Sequence, residues 1–309
     1  SFLSFYQPLI GQKKSSDYNF TSIEDGFTQR AITSIFKDAD GYLWISTYGD
    51  GLFRYNGLDF KNYKKERNAK ENSLNSSIVY SALQDVQKNI WVGSELGLNF
   101  YNKNNDKFEN ITLQEEKEEE EKEELTFPIH TIAEYDSNTL LLGTHKFGLF
   151  KFDKTSFTHK LIPYTINKPN LSLLINTIVK SSNGRFLIGT NHGLMTFDPY
   201  NEVLQLAKFN TENGYETIDN SIESLHVAQD NSIWIGTFSS GLFRVNHNDN
   251  DVYSIEEFSI SRKRILSLAE KKNGNILCGT ENDGLFELNY TTKRIKKYQQ
   301  DKLKENAFF

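Results

Sequence analysis

Six histidines are scattered through the chain, at positions 130, 145, 159, 192, 226 and 247. Two of them, His145 in "THKFG" and His192 in "TNHG", stand in short Gly-terminated turns at matching points of the sequence. They could place two imidazoles on one face. Turns of the same kind carry the carboxylates Asp50, Glu95, Glu281 and Asp283. Two carboxyl groups held roughly 5 to 10 Å apart can cleave a glycosidic bond, one as acid and the other as base or nucleophile. Here they come from turns far apart in the chain, and no motif fixes any pair. The sequence holds no GxxxxGK[ST] loop, no GxGxxG leading into a helix, no HExxH, no CxxC and no GxSxG elbow. No catalytic residue, metal or cofactor is therefore assigned, and a glycan-cleaving enzyme is the weakest of the functional readings.

The chemistry left to these turns is recognition. The candidate ligand-binding set is Tyr48, Asp50, Glu95, His145, Lys146, Asn191, His192, Phe238, Ser239, Glu281 and Asp283. Aromatic rings beside carboxylates, amides and imidazoles suit a carbohydrate, whose CH faces stack and whose hydroxyls bond. They equally suit a protein surface. What must bring these turns together is the repeat in which they lie.

Gly-Leu pairs occur at Gly51, Gly97, Gly148, Gly193, Gly241 and Gly284, spaced by 46, 51, 45, 48 and 43 residues. Upstream of each lies an apolar triplet: "LWI", "IWV", "LLL", "FLI", "IWI" and "ILC". The two residues after it are "ST", "GS" or "GT", so every copy keeps a hydroxyl and five of six keep a Gly. An alternating segment precedes each triplet, as in "ITSIF" and "INTIV". Alternation with period two is the mark of a strand with one buried face. "DADG", "SSNG" and "KKNG" are turn sequences. "GLFRYN" alternates again, and "FKNY" supplies a fourth, outer strand. Four antiparallel strands in about 46 residues make one blade of a β-propeller.

The expected fold is thus all-β, a propeller of four-stranded antiparallel blades with six full repeats. "DYNFTSI" near the start reads as an outer strand with nothing before it, and "NAFF" at the end as the start of an inner strand. A seven-bladed ring, its last blade incomplete in this chain, is the simplest expectation; a closed six-bladed ring with a spare strand is the alternative. In a four-stranded blade the turns between second and third strands share a face with the blade-to-blade connections. The candidate residues should gather on that face, around the central channel.

Composition narrows the rest. A net charge of −6, from 35 basic and 41 acidic residues, lacks the basic stripe of a nucleic-acid-binding domain. The single Cys278, in the apolar run "NILCGT", reads as a small buried hydrophobe. Residues 1–12, apolar and followed by "QKK", read as the back half of a secretory signal, or else as a frayed strand; the propeller is assigned to 13–309. Within it, the Glu-rich run at 114–125 reads as a solvated loop insert rather than a calcium site, because it lacks spaced Asp, Asn and Gly.

The unit "DGYLWISTYGDGLFRYNG", repeated in "NIWVGSELGLNFYN" and "SIWIGTFSSGLFRVN", resembles the two-component regulator propeller repeat. "NFTSIEDGFTQRAITSIFKDADGYLW" is similar to the opening of the sensor regions of Bacteroidetes hybrid two-component histidine kinases. Leu141, Leu187 and Leu277 depart from the pattern by replacing its Trp. The resemblance implies a periplasmic ligand-sensing propeller of an inner-membrane, homodimeric signalling protein, with an oligosaccharide as ligand and a kinase output. A protein-binding scaffold joined to a helix-turn-helix output is the second reading.

Overall fold

The computed structural model describes residues 31–66, 73–115, 126–165, 172–211, 214–216, 218, 220–247, 252–261 and 263–298. Among them every regular element is a β-strand, and six antiparallel sheets stand around a common axis as the blades of a β-propeller. The inner strands are Ile32–Lys37, Val79–Gln84, Ile129–Glu134, Ile175–Lys180, Ile222–Val227 and Ile265–Glu270. Each pairs outward with the apolar-triplet strand, then the Gly-Leu strand, then an outer strand. "DYNFTSI", "NAFF" and residues 1–12 lie outside the described residues.

The apolar core lies between sheets rather than within them. Trp44, Leu52 and Tyr63 of blade 1 pack with Val79, Ile90, Val92, Tyr101 and Phe108 of blade 2, and the same arrangement follows from each blade to the next. Cys278 is buried in the last of these cores, and burial pushes its thiol up to about 12. The ends of the series differ. Val79, Ile129, Ile175, Ile222 and Ile265 are 0% exposed, whereas Ile32, at the same place in blade 1, is 52% exposed. No described sheet covers that flank.

The hydroxyl kept in every copy closes the turn between second and third strands. Thr47, Ser94, Thr144, Thr190, Thr237 and Thr280 each donate to the carbonyl of the Gly that ends the turn, at 2.7–3.1 Å. That Gly needs a positive φ, as at Gly51 (φ 83°), a region that side chains disfavour. Asp38 and Asp85 explain why an Asp precedes Trp: each accepts the indole N–H of Trp44 or Trp91, at 2.7 and 2.9 Å, while organising its own turn. Blade 5 has Ala228 at this position.

The connections do more than link blades. Gln114–Glu115, Tyr164–Thr165 and Lys208–Thr211 each add a short parallel strand to the outer edge of the following blade. The first two residues of the Glu-rich insert are therefore strand, not loop; residues 116–125 lie outside the described ones. Exposed edges invite foreign pairing, and these straps cover them.

Close approach between blades depends on the Gly before the hydroxyl. A Cβ on Gly189 would stand 2.6 Å from Thr177 Cγ2 and 2.8 Å from Ile222 Cγ2 of the next blade. Gly189→Ala is therefore expected to destabilise the protein by about 1–3 kcal/mol, the usual cost of overpacking. Thr177→Ser in the same background removes the Cγ2 methyl that stands 2.6 Å from the new Cβ and should recover part of that loss, measured by urea denaturation. Gly279→Ala, where a Cβ meets only Ser267 of its own blade, should cost less.

Candidate functional site

The head of each inner strand carries a β-bulge, a register shift that inserts one residue between the first and third positions. The inserted residues are Thr33, Tyr80, His130, Asn176, Glu223 and Leu266. Each stands beside the turn between second and third strands of its own blade. Tyr48, Glu95, His145, Asn191, Phe238 and Glu281 donate their backbone N–H groups to Ala31, Ile78, Pro128, Leu174, Ser221 and Arg264, the residues entering those strands, at 2.9–3.3 Å. The turns, the entering connections and the bulges therefore share one face around the channel mouth, as the topology requires.

Two clusters form there. Across blades 1 to 3 runs a strip of rings: Tyr48 to Tyr80 (6.3 Å between centroids), Tyr80 to His130 (4.2 Å) and His130 to His145 (5.0 Å). Glu95, held by the Ser76 hydroxyl at 3.0 Å, flanks it. Burial, together with Tyr48 and Glu95, pushes the Tyr80 phenol up. Burial, then the nearby His145, brings His130 down to about 4, so its imidazole is neutral at neutral pH. Across blades 5 and 6, Arg264 donates to Glu223 at 2.6 Å, lies 3.8 Å from Glu281 and sits under the Phe238 ring at 5.2 Å.

Sequence reasoning named Tyr48, Glu95, His145, Phe238 and Glu281 in these clusters but missed Tyr80, His130, Glu223 and Arg264. It also missed Phe147, 53% exposed in the same turn as His145 and Lys146. Four of the other candidates have side-chain partners near their turns, and Asp50 a backbone one. Asn191 accepts from the Leu174 N–H at 3.0 Å and, like His192, approaches the Ser172 carbonyl. Ser239 is held by Asn220 at 3.0 Å. The Asp50 N–H is tied to Thr47 Oγ1 within its turn. Asp283 is engaged by Ser261 and by Lys297 of the outer strand, and these bonds hold its carboxyl below the usual range. Glu95, Glu281 and Asp283 each have their own partners and share none, which does not make the acid–base pair that glycoside cleavage needs.

Residues 26–49 match the family model described as "Two component regulator propeller". The fold is shared with crystal structures described as extracellular domains of hybrid two component systems of B. thetaiotaomicron. For BT3049 the TM-score is 0.64 at 20% identity, covering 89% of this chain and 34% of that one. For BT4673 the values are 0.67, 22%, 88% and 34%. The chain thus spans about a third of those domains. Virginiamycin B lyase from Staphylococcus aureus is similar at TM-score 0.62 and 11% identity, over 88% of this chain and 85% of that one. A fold shared by extracellular domains of two component systems and a lyase does not choose between functions, so the site must. No curated protein matches the chain.

The neutral, half-buried His130 carries a pH signature. In the unfolded chain it takes up a proton below about 6.5, whereas the folded protein resists until about 4. Between those values the unfolded state binds more protons, so stability should fall as pH drops from about 6.5 and the loss should level off near 4, at about 3 kcal/mol. The difference between wild type and His130→Phe, followed by denaturation at several pH values, should show that window, with the variant flatter.

Proposed function

We propose that this propeller is the exported, ligand-sensing part of a membrane-bound two-component signalling protein, that its ligand is an oligosaccharide, and that binding governs a histidine kinase output through a dimer of the parent protein. The observation that carries the reading is the ring strip Tyr48–Tyr80–His130–His145 at the channel mouth, flanked by the Glu95 carboxylate. Rings at 4–6 Å spacing offer flat apolar platforms to the CH faces of sugars, and the neutral His130 imidazole can both donate a hydrogen bond to a hydroxyl and accept one from it. The likeness to extracellular domains of two component systems supports the exported, sensing role.

On this reading the ligand is bound and not turned over, and a sensor gains from that, because its occupancy then follows ligand concentration.

The test is a thermal-shift screen of the chain against a glycan panel, followed by calorimetry on each hit. A hit should bind roughly tenfold more weakly when Tyr80 or Phe238 becomes Ala, a loss of about 1.4 kcal/mol. Binding of no glycan, or a hit indifferent to both variants, sinks the glycan reading. Chain-length analysis of the incubated oligosaccharide should show no cleavage; turnover would make the protein an enzyme. A protein ligand captured on the same face, lost with Tyr48→Ala and Phe147→Ala, would favour the scaffold reading.

A further inference from the structure

The connections entering blades 3, 4 and 5 each run along the outer edge of the blade as a strap before they reach its inner strand. They have room for that detour: 17, 13 and 15 residues separate Ile111 from Ile129, Leu161 from Ile175 and Leu206 from Ile222. Between Phe258 and Ile265, on the way into blade 6, there are six. Six residues reach about 20 Å, and crossing from the outer to the inner position of a four-stranded sheet already takes about 14 Å. Too little chain is left to lie along the edge. Among the described residues the strand Arg294–Tyr298 is the outermost of its sheet.

Blade 4 displays what this edge lacks. Leu204 pairs with Phe197 of the third strand, as Ile295 pairs with Leu288 at the same place in blade 6. The Leu204 N–H turns outward and donates to the Pro163 carbonyl of the strap at 3.0 Å. Tyr164 of the strap stands opposite Leu204 and packs against the same core. Leu204 is accordingly 0% exposed, whereas Ile295 is 44% exposed. The matching register turns the Ile295 N–H to the open edge, with an uncovered aliphatic side chain beside it. The strand sequence "RIKKY" carries three cations and no carboxylate. Arg294 and Lys296, both exposed, alternate with Ile295 and so stand on the other side of the strand.

We propose that the outer edge of blade 6 binds an extended acidic segment of a partner protein, added to the sheet as a parallel fifth strand where blades 3 to 5 carry straps. The partner residue opposite Ile295 is apolar and covers it, as Tyr164 covers Leu204. The residues on either side of it are acidic and meet Arg294 and Lys296. A second copy of the chain presenting the same edge would set cations against cations, which paired strands avoid. The edge is formed by the outer strand, away from the channel mouth, and stands or falls independently of the function proposed there.

Fluorescence anisotropy of a labelled, end-blocked synthetic peptide, Glu-Val-Glu-Val-Glu-Val-Glu, titrated with the full chain tests it. Saturable binding is expected, weakened by salt, with the peptide carrying Lys in place of Glu at least about tenfold weaker. Ile295→Pro removes the outward N–H and no bond of the ladder, so the chain should stay folded, as thermal unfolding will check. Peptide binding should nevertheless fall at least about tenfold, because main-chain bonds carry the affinity of an added strand. Arg294→Glu combined with Lys296→Glu changes only exposed residues and should weaken binding by about as much. The proposal is overturned by absence of saturable binding, by equal binding of the Lys peptide, or by binding indifferent to either variant. Self-association of the chain, seen by sedimentation and lost in Ile295→Pro, would also overturn it, by giving the edge to a second copy.

Discussion

The structure depends on how closely the second strand of one blade can approach the head of the next inner strand. At Gly93, Gly143, Gly189 and Gly236 a Cβ would collide with Ile129, Ile175, Ile222 and Ile265 of the following blade. Blade 1 is the informative exception. It has Ser46 at that position, fully buried, and the residue it faces across the boundary is Val79, the only one of the five smaller than Ile. One side gained two heavy atoms and the other lost a methylene. Packing at this point is thus set by volume, as close-packed interiors demand.

Away from the axis, a different device holds blades in register. In blades 1 and 3, neighbouring cations on the third and outer strands converge on the acidic residue in the next blade's last turn. Arg54 and Lys61 reach Asp106; Lys151 and Lys160 reach Glu202. Between blades 5 and 6 the signs are exchanged, with Glu256 reaching Lys293 at 2.6 Å. These pairs are partly exposed and add little stability each. Their pattern instead favours one neighbour and one register. Lys154 and Asp85 differ: with side chains 5% and 0% exposed, they form a buried pair that would be costly to break from one side.

How much of this the sequence disclosed depends on which rule each residue obeys. Scaffold residues obey rules that repeat, so the strands, the turn hydroxyls and the Gly-Leu pairs were legible from spacing alone. The site was half legible. Residues in the turns were found because their position in the repeat is conspicuous, yet polarity there also serves the fold: Asn191 accepts from the Leu174 N–H, and Asp283 from Lys297. Tyr80, His130 and Glu223 were missed because they lie inside strands whose strict alternation assigns them an ordinary flanking role. The bulge that sets them at the mouth breaks that alternation by one residue, and nothing in "VYSAL" or "IHTIA" announces it. The parallel edge straps were missed for a related reason: two-residue pairings carry no periodic signal.

The bulge also separates what the fold needs from what the site can use. Its flanks are constrained in all six blades: Ile or Val before it, buried against the preceding blade from blade 2 onward, and Ser or Thr after it, opposite the close-packed Gly or Ser46. The inserted residue between them is Thr, Tyr, His, Asn, Glu and Leu in turn, six different side chains at one structural position. The apolar interblade packing is made by the flanks, while Thr33, Asn176 and Glu223 add polar bonds to the next blade, at the Val79 carbonyl, the Ile222 carbonyl and Arg264. A single chain thus contains its own comparison: constancy where blades touch, and diversity where they face the channel. The diversity is also ordered, with rings gathered on blades 2 and 3 and an ion pair between Glu223 of blade 5 and Arg264 of blade 6, so the mouth has two unlike halves. In a repeated scaffold, six different residues at the bulge break the symmetry of the mouth while the apolar packing of its flanks stays the same.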